Sequence, residues 1–206
     1  MFTIRNILIT FLIILAFFLL YKIFAPSVRI TNYPSSNTGI VAFGDSLVSG
    51  VGSTDGNDFV SVLSRKIGQP IVNLGVSGNT TEQGLSRIDQ VISRKPKVVL
   101  VLLGGNDYLR KVPREETFKN LERIVTRIQS TGAVVVLLGI RGGLLADPYE
   151  ERFEALSERM GTLYIPDVLD GLFANSAYMS DSIHPNDKGY ARIAERVYPV
   201  LRKANE

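Results

Sequence analysis

The feature that most constrains the fold of this chain is the run of residues 97–103. Every side chain in it after Lys97 is aliphatic, with valines and leucines in unbroken succession. A strand with one solvated face would alternate apolar and polar residues, so an unbroken run predicts a parallel strand buried on both faces. Such a strand requires helices packed against both sides of its sheet and right-handed crossovers to its neighbours.

Segments with the character of strands and helices alternate along the rest of the chain. Four further strands are predicted at residues 39–43, 69–74, 133–138 and 162–165. Apolar side chains at helical spacing separate them, and Asn186 is positioned to cap a last helix that carries Ile193, Val197 and Leu201. This alternation predicts an α/β protein. We expect a three-layer α/β/α sandwich with a five-stranded parallel sheet in the flavodoxin-like order.

The first 25 residues differ from the remainder. Residues 7–21 are apolar apart from Thr10, with Arg5 before them and Lys22 after them. A bilayer is spanned by roughly 17–25 residues, which residues 7–25 reach, and Ala25 followed by Pro26 is a poor cleavage site. We therefore interpret residues 1–25 as a membrane anchor, with the protein facing the periplasm or the cell exterior. The alternative is a cleaved signal and a secreted or periplasmic protein.

Composition limits what the remaining chain can do. Residues 26–38 contain Pro34 and several small polar residues and read as a linker, which leaves residues 39–206 as one domain. The formal net charge of +3 predicts no nucleic-acid partner. The absence of cysteine excludes disulfides and thiol catalysis, and a single histidine excludes the usual zinc ligand sets.

Ser46 and the only histidine, His184, stand at the ends of predicted elements. Ser46 follows the first strand within Gly44-Asp45-Ser46-Leu47, and His184 lies three residues after Asp181. A serine nucleophile needs a base to take its proton, and that base needs an acceptor to orient it. Ser46, His184 and Asp181 can supply those roles, although Ser46 and Asp181 each also fit an ordinary turn.

Two more polar positions follow predicted strands. Gly78 comes after the second strand and Asn106 after the third. The carboxyl ends of parallel strands meet at one edge of a sheet, so we expect both residues beside Ser46. The backbone N–H groups of Ser46 and Gly78, with the side-chain amide of Asn106, are candidate donors to an oxyanion. Gly78 and Asn106 taken singly are also ordinary turn residues.

Three leucines are candidates to contact the acyl chain of a substrate. Leu109 follows the third strand, and Leu144 and Leu145 lie in a glycine-containing loop after the fourth. Packing of Leu144 and Leu145 on the body of the domain is the alternative.

Four short blocks, taken together and in this order, resemble the SGNH hydrolases, also called the GDSL esterase/lipase family. They are Gly44-Asp45-Ser46-Leu47, the segment 73–79 containing Gly78, Gly105-Asn106-Asp107, and Asp181-Ser182-Ile183-His184-Pro185. Residues 72–88 and 104–110 look most like the thioesterase I / arylesterase / lysophospholipase L1 branch. The resemblance implies Ser46, Gly78, Asn106 and His184 as the four named residues of the family and Asp181 as the acid of the triad. It also implies that no metal and no organic cofactor is used.

The pattern and the resemblance predict a serine esterase acting on a small-molecule acyl ester or lipid through an acyl-enzyme. Lysophospholipids, thioesters and aryl esters are the expected substrates. The alternatives are an O-deacetylase of carbohydrate or cell-wall esters and a membrane-tethered binding protein with a decayed site. We expect contact with the membrane through residues 1–25, no nucleic-acid partner and a monomer.

Overall fold

A computed structural model of the chain describes residues 6, 10–11, 13–17, 29–141, 148–173 and 175–206. One sheet of five strands, all paired in parallel, forms the centre in the order β2-β1-β3-β4-β5. The strands are β1 (Ile40–Gly44), β2 (Ile71–Gly75), β3 (Val98–Leu102), β4 (Val134–Leu138) and β5 (Leu163–Ile165). The predicted flavodoxin-like order is therefore confirmed, with strand ends shifted by one or two residues.

Helices connect the strands and cover both faces of the sheet. They are α1 (Ser46–Ser49), α2 (Phe59–Ile67), α3 (Thr81–Ser86), α4 (Asp89–Ile92), α5 (Gly105–Leu109), α6 (Arg114–Gln129), α7 (Pro148–Met160) and α8 (Asp187–Asn205). Two short helices, α3 and α4, lie between β2 and β3. The break falls at Arg87, whose backbone leaves the helical region at φ −113° and ψ 15°. The predicted cap of the last helix is confirmed, because the Asn186 side chain accepts hydrogen bonds from the backbone of Lys188 and Gly189.

The core has two layers because side chains alternate across each strand. Ile40 and Ala42 of β1 pack with the layer that contains α2 and α8, whereas Val41 and Phe43 pack with the layer of α4, α6 and α7. All five side chains of β3 are fully buried, as the aliphatic run predicted. Full burial of such an aliphatic side chain contributes roughly 1.5–3 kcal/mol, so β3 anchors the sheet that carries the site.

Residues 29–37, within the predicted linker 26–38, pack against the amino-terminal edge of the sheet. The backbone N–H of Thr31 donates to the Gly161 carbonyl at 2.8 Å. The Asn32 amide donates to the carbonyl oxygens of Gln129 at 2.8 Å and Ala133 at 3.0 Å. This part of the chain is thus held by the domain, at the edge opposite to the one where β1 leads into Ser46.

Most of the predicted anchor or signal, residues 1–25, lies outside the described residues. Residues 6, 10–11 and 13–17 are described, and they are helical and exposed. Over the part of the chain that the structure describes, no helix combines the length and the apolar character needed to cross a membrane.

Candidate active site

Ser46 is the first residue of α1 and lies two residues beyond the end of β1. β1 ends at Gly44, where an added Cβ would stand 2.3 Å from the carbonyl oxygen of Leu102 on β3. Only glycine permits that close approach. The next residue, Asp45, caps α1 by accepting a hydrogen bond from the backbone N–H of Leu47 at 3.0 Å. The tight turn leaves Ser46 8 % exposed at the carboxyl edge of the sheet.

Ser46, His184 and Asp181 form one continuous chain of hydrogen bonds. His184 Nδ1 lies 2.7 Å from Asp181 Oδ2, and His184 Nε2 lies 3.1 Å from Ser46 Oγ. A carboxylate can only accept, so the ring proton belongs on Nδ1 and the lone pair on Nε2. Ser46 therefore donates its hydroxyl to Nε2. The structure brings together the three residues that the sequence singled out.

Asp181 is held by its own turn. Its Oδ1 accepts the backbone N–H groups of Ile183 and His184, both at 2.8 Å. The hydrogen bond from His184 and these two backbone bonds lower the pKa of Asp181 to about 2. The carboxylate, whose side chain is 52 % exposed, thus stays ionised over the whole neutral range.

The loop after α1 packs directly against the segment that carries His184, which we call the histidine segment. Gly52 in that loop has φ +95°, and an added Cβ would lie 2.5 Å from the Pro185 carbonyl and 3.3 Å from the Cβ of His184. The same loop is bonded to the start of α8. The carboxylate of Asp187 accepts hydrogen bonds from the backbone N–H and the hydroxyl of Thr54, at 2.7 Å each. These contacts fix the position of His184 over Ser46.

Asn106 connects the segments that carry the other two candidate oxyanion donors. It is the second residue of α5, directly after β3. Its Nδ2 donates to Asp45 Oδ2 at 3.2 Å and to the carbonyl oxygen of Asn79 at 3.1 Å. Asp45 precedes Ser46, and Asn79 follows Gly78, whose φ of +77° suits glycine. The predicted proximity of Ser46, Gly78 and Asn106 is therefore supported by bonds through their neighbours.

Sequence reasoning missed Arg87. Its guanidinium donates to the carbonyl oxygens of Gly44 at 2.7 Å and Leu74 at 2.9 Å, and to the Asn79 side chain at 2.7 Å. Arg87 thus ties together the ends of β1 and β2 and the turn that contains Gly78. The one signal in the sequence is a basic residue close to the apolar residues Leu85 and Ile88.

Asp45 lies in the block Gly44-Asp45-Ser46-Leu47, but the sequence predicts no role for it. It is 2 % exposed. Burial raises its pKa to about 6, although the hydrogen bonds from Leu47 and Asn106 and the charge of His184 act in the opposite direction. A buried carboxyl group therefore lies next to the candidate nucleophile.

Of the three leucines that were candidates to contact an acyl chain, Leu109 lies among the described residues. Leu109 ends α5 and is 55 % exposed. It stands beside the exposed Tyr108 at the carboxyl edge of the sheet. Leu144 and Leu145 lie outside the described residues.

Comparison with known proteins is consistent with this geometry. A model of the GDSL-like lipase/acylhydrolase family matches residues 42–192. The chain is 30 % identical over 176 residues to an arylesterase of Vibrio mimicus, covering 80 % of this chain and 88 % of that protein. It is 28 % identical over 165 residues to the thioesterase 1/protease 1/lysophospholipase L1 of Escherichia coli K12, covering 76 % and 79 %. The crystal structure of TesA superposes with a TM-score of 0.75 at 29 % identity, covering 81 % of this chain and 99 % of that one.

Proposed function

Because this chain belongs to the GDSL-like lipase/acylhydrolase family, we propose that it is a serine esterase that cleaves acyl esters through an acyl-enzyme formed on Ser46. The observation that carries the proposal is the unbroken contact from Ser46 through His184 to Asp181. A serine hydroxyl is a weak nucleophile by itself, and this arrangement supplies both the base and the group that orients the base.

In the acylation step, Ser46 Oγ attacks the carbonyl carbon of the ester while its proton passes to His184 Nε2. The ring becomes an imidazolium, which the ionised Asp181 stabilises through the 2.7 Å bond to Nδ1. When the tetrahedral intermediate collapses, the carbon–oxygen bond to the alcohol breaks. The departing alkoxide takes the proton from Nε2, so His184 is neutral again and the acyl group remains on Ser46.

Water completes the cycle by the same route. It attacks the acyl carbon while His184 removes its proton, and the bond to Ser46 Oγ breaks as His184 returns the proton to that oxygen. One carboxylic acid leaves, and the enzyme regains its starting protonation.

The oxyanion formed in each step needs donors. We propose the backbone N–H groups of Ser46 and Gly78 and the Nδ2 of Asn106 for this role. They sit on a rigid sheet edge, so they need no reorganisation when charge develops. Removal of one donor of this kind typically reduces kcat by about 10²–10³.

Apolar side chains near this edge support an acyl substrate with a hydrocarbon part. Val76 follows β2, Leu109 and Tyr108 end α5, and Ile183 precedes the base; all are exposed. The printed names of the relatives include arylesterase, thioesterase and lysophospholipase. We propose aryl esters, thioesters and lysophospholipids as the substrate classes.

We further propose that residues 1–25 direct the domain to the periplasm or the cell exterior, either as an uncleaved anchor or as a cleaved signal. The support is the apolar run of residues 7–21 between Arg5 and Lys22. Intact mass of the protein isolated from cells decides between them, because a mature terminus near Pro26 would exclude the anchor.

A substrate panel tests the function. Full-length protein in mild detergent is assayed with p-nitrophenyl esters from acetate to laurate, a lysophospholipid, an acyl thioester and an acetylated sugar. We expect turnover of the apolar esters and none by a Ser46→Ala variant. A phosphonate ester inhibitor should add its mass to the wild type at Ser46 and leave the variant unmodified.

Full turnover by the Ser46→Ala variant would refute the proposed nucleophile. A preference for the acetylated sugar over every apolar ester would instead indicate the O-deacetylase.

A further inference from the structure

We propose that Asp45 is a positioning residue, which orients the Asn106 side-chain amide so that its nitrogen, and not its oxygen, faces the oxyanion. The inference rests on the proposed ester hydrolysis and assigns a role to a residue outside the triad and the three oxyanion donors.

The two carboxylate oxygens of Asp45 accept hydrogen bonds from different groups. Oδ1 accepts the backbone N–H of Leu47 at 3.0 Å, which holds the turn that carries Ser46. Oδ2 accepts Nδ2 of Asn106 at 3.2 Å. Since Asp45 is 2 % exposed, bulk water does not replace either bond. One carboxylate therefore links the position of the nucleophile to the orientation of the amide.

The orientation of a side-chain amide depends on its partners. The oxygen and nitrogen ends of asparagine have nearly the same shape, and the hydrogen-bond network selects between them. Here the amide end meets two acceptors, the Asp45 carboxylate and the Asn79 carbonyl, at 3.2 and 3.1 Å. A flipped Asn106 would place its own oxygen against both acceptors. It would also present an acceptor to a developing negative charge.

The two bonds leave the amide able to act. Normal N–H···O distances are about 2.7–3.2 Å, and both bonds of Asn106 lie at the long end of that range. Both hydrogens of the amide are used in these bonds, so an oxyanion would share one of them in a three-centre bond. Asp45 and Asn79 hold the amide nitrogen in place for that bond.

Only the ionised form of Asp45 offers an acceptor at both positions. A proton on either oxygen replaces one acceptor with a donor and breaks one of the two bonds. Burial raises the pKa of Asp45 to about 6, and the neighbouring carboxylate of Asp107 acts in the same direction. The charge of His184 lowers this pKa, and Arg87 and Tyr190 also interact electrostatically with Asp45. The positioning should therefore be lost as the pH falls through this region.

The Asp45→Asn variant tests the proposal. An asparagine at position 45 has the shape of the aspartate but only one acceptor oxygen, so it cannot accept from both the Leu47 N–H and the Asn106 amide. We expect kcat to fall by about 10-fold to 10³-fold, bounded by the loss of a whole oxyanion donor, with KM little changed. In the wild type, Asp45 must lose a proton for the amide to be positioned, whereas the variant has no proton to lose at this position. The acid limb of log(kcat/KM) against pH should thus be steeper in the wild type than in the variant, by up to one unit of slope.

Asp107→Asn is the matched control. Asp107 is also fully buried, and it follows Asn106 in the chain, but its oxygens accept from the backbone and hydroxyl of Thr81 at 2.8 and 2.5 Å. Its loss should reduce the resistance to urea and leave kcat near pH 8 unchanged. Equal losses of kcat in both variants would show that any buried carboxylate matters, and would overturn the specific role of Asp45.

The outcomes separate this proposal from the function on which it rests. An inactive Ser46→Ala variant beside an Asp45→Asn variant of wild-type kcat overturns the positioning role and leaves the esterase intact. A wild type that turns over none of the substrates overturns both. If the Asp45→Asn variant fails to fold, the wild-type profile decides, because an acid limb of unit slope excludes a second titrating group.

Discussion

Asp45 should make the stability of the fold depend on pH in a way that a single substitution removes. Burial raises its pKa from 3.8 to about 6 in the folded protein. At about 1.36 kcal/mol per pH unit, this interval corresponds to a cost of about 3 kcal/mol for holding the ionised group in the fold at neutral pH. This cost is what remains after the hydrogen bonds to Leu47 and Asn106 have offset part of the penalty of burial.

The direction follows from which state holds the proton. Between about pH 4 and pH 6 the folded protein keeps a proton on Asp45 that the unfolded chain has already released. The contribution of Asp45 to the free energy of unfolding therefore falls as the pH rises through this window, and the full cost is present above pH 6. The Asp45→Asn variant has no such cost. Relative to the ionised wild type, it loses one hydrogen bond, at about 1–3 kcal/mol.

Urea unfolding of both full-length proteins at several values between pH 4 and pH 7 measures the difference. The free energy of unfolding of the variant minus that of the wild type should increase by about 2–3 kcal/mol across this range. Other titrating groups are present in both proteins and largely cancel. A difference that stays constant within about 0.5 kcal/mol would show that the buried carboxyl is not destabilised by burial, and the reasoning would be wrong.

Three further predictions address other parts of the molecule. Asn106→Ala should lower kcat and kcat/KM together by about 10²–10³ with KM nearly unchanged, and a raised KM with normal kcat would remove Asn106 from the oxyanion site. Gly52→Ala should abolish most turnover, because a Cβ at 2.5 Å from the Pro185 carbonyl displaces the histidine segment; Gly68→Ala, at φ +73° with nothing within 4 Å, is the control for backbone strain alone. Asn32→Ala loses two bonds at the opposite edge of the sheet, so a thermal melt should show about 1–3 kcal/mol of destabilisation while kcat is unaffected, and a change in kcat would contradict that separation.

The sequence by itself determined the sheet and the edge at which the candidate site lies. Residues 98–103 are apolar without interruption, and in the structure β3 is buried on both faces at the centre of the sheet. Ser46, Gly78 and Asn106 each follow a strand, so parallel pairing alone brings them to one edge. Asp181 and His184 are three residues apart, which is close enough for one turn to join them. All of this is encoded in local periodicity and order along the chain.

Only the tertiary structure decided which polar groups contact one another at that edge. The bond between Asn106 and Asp45 joins residues 61 positions apart, and those of Arg87 reach two different strand ends. Such contacts depend on the register between β1 and β3 and on where a helix breaks, and no periodic pattern records either. Burial of Asp45 and the packing of residues 29–37 have the same origin. A buried hydrogen bond is formed by whichever distant group the fold brings within about 3 Å, and that distance exists only once the chain has folded.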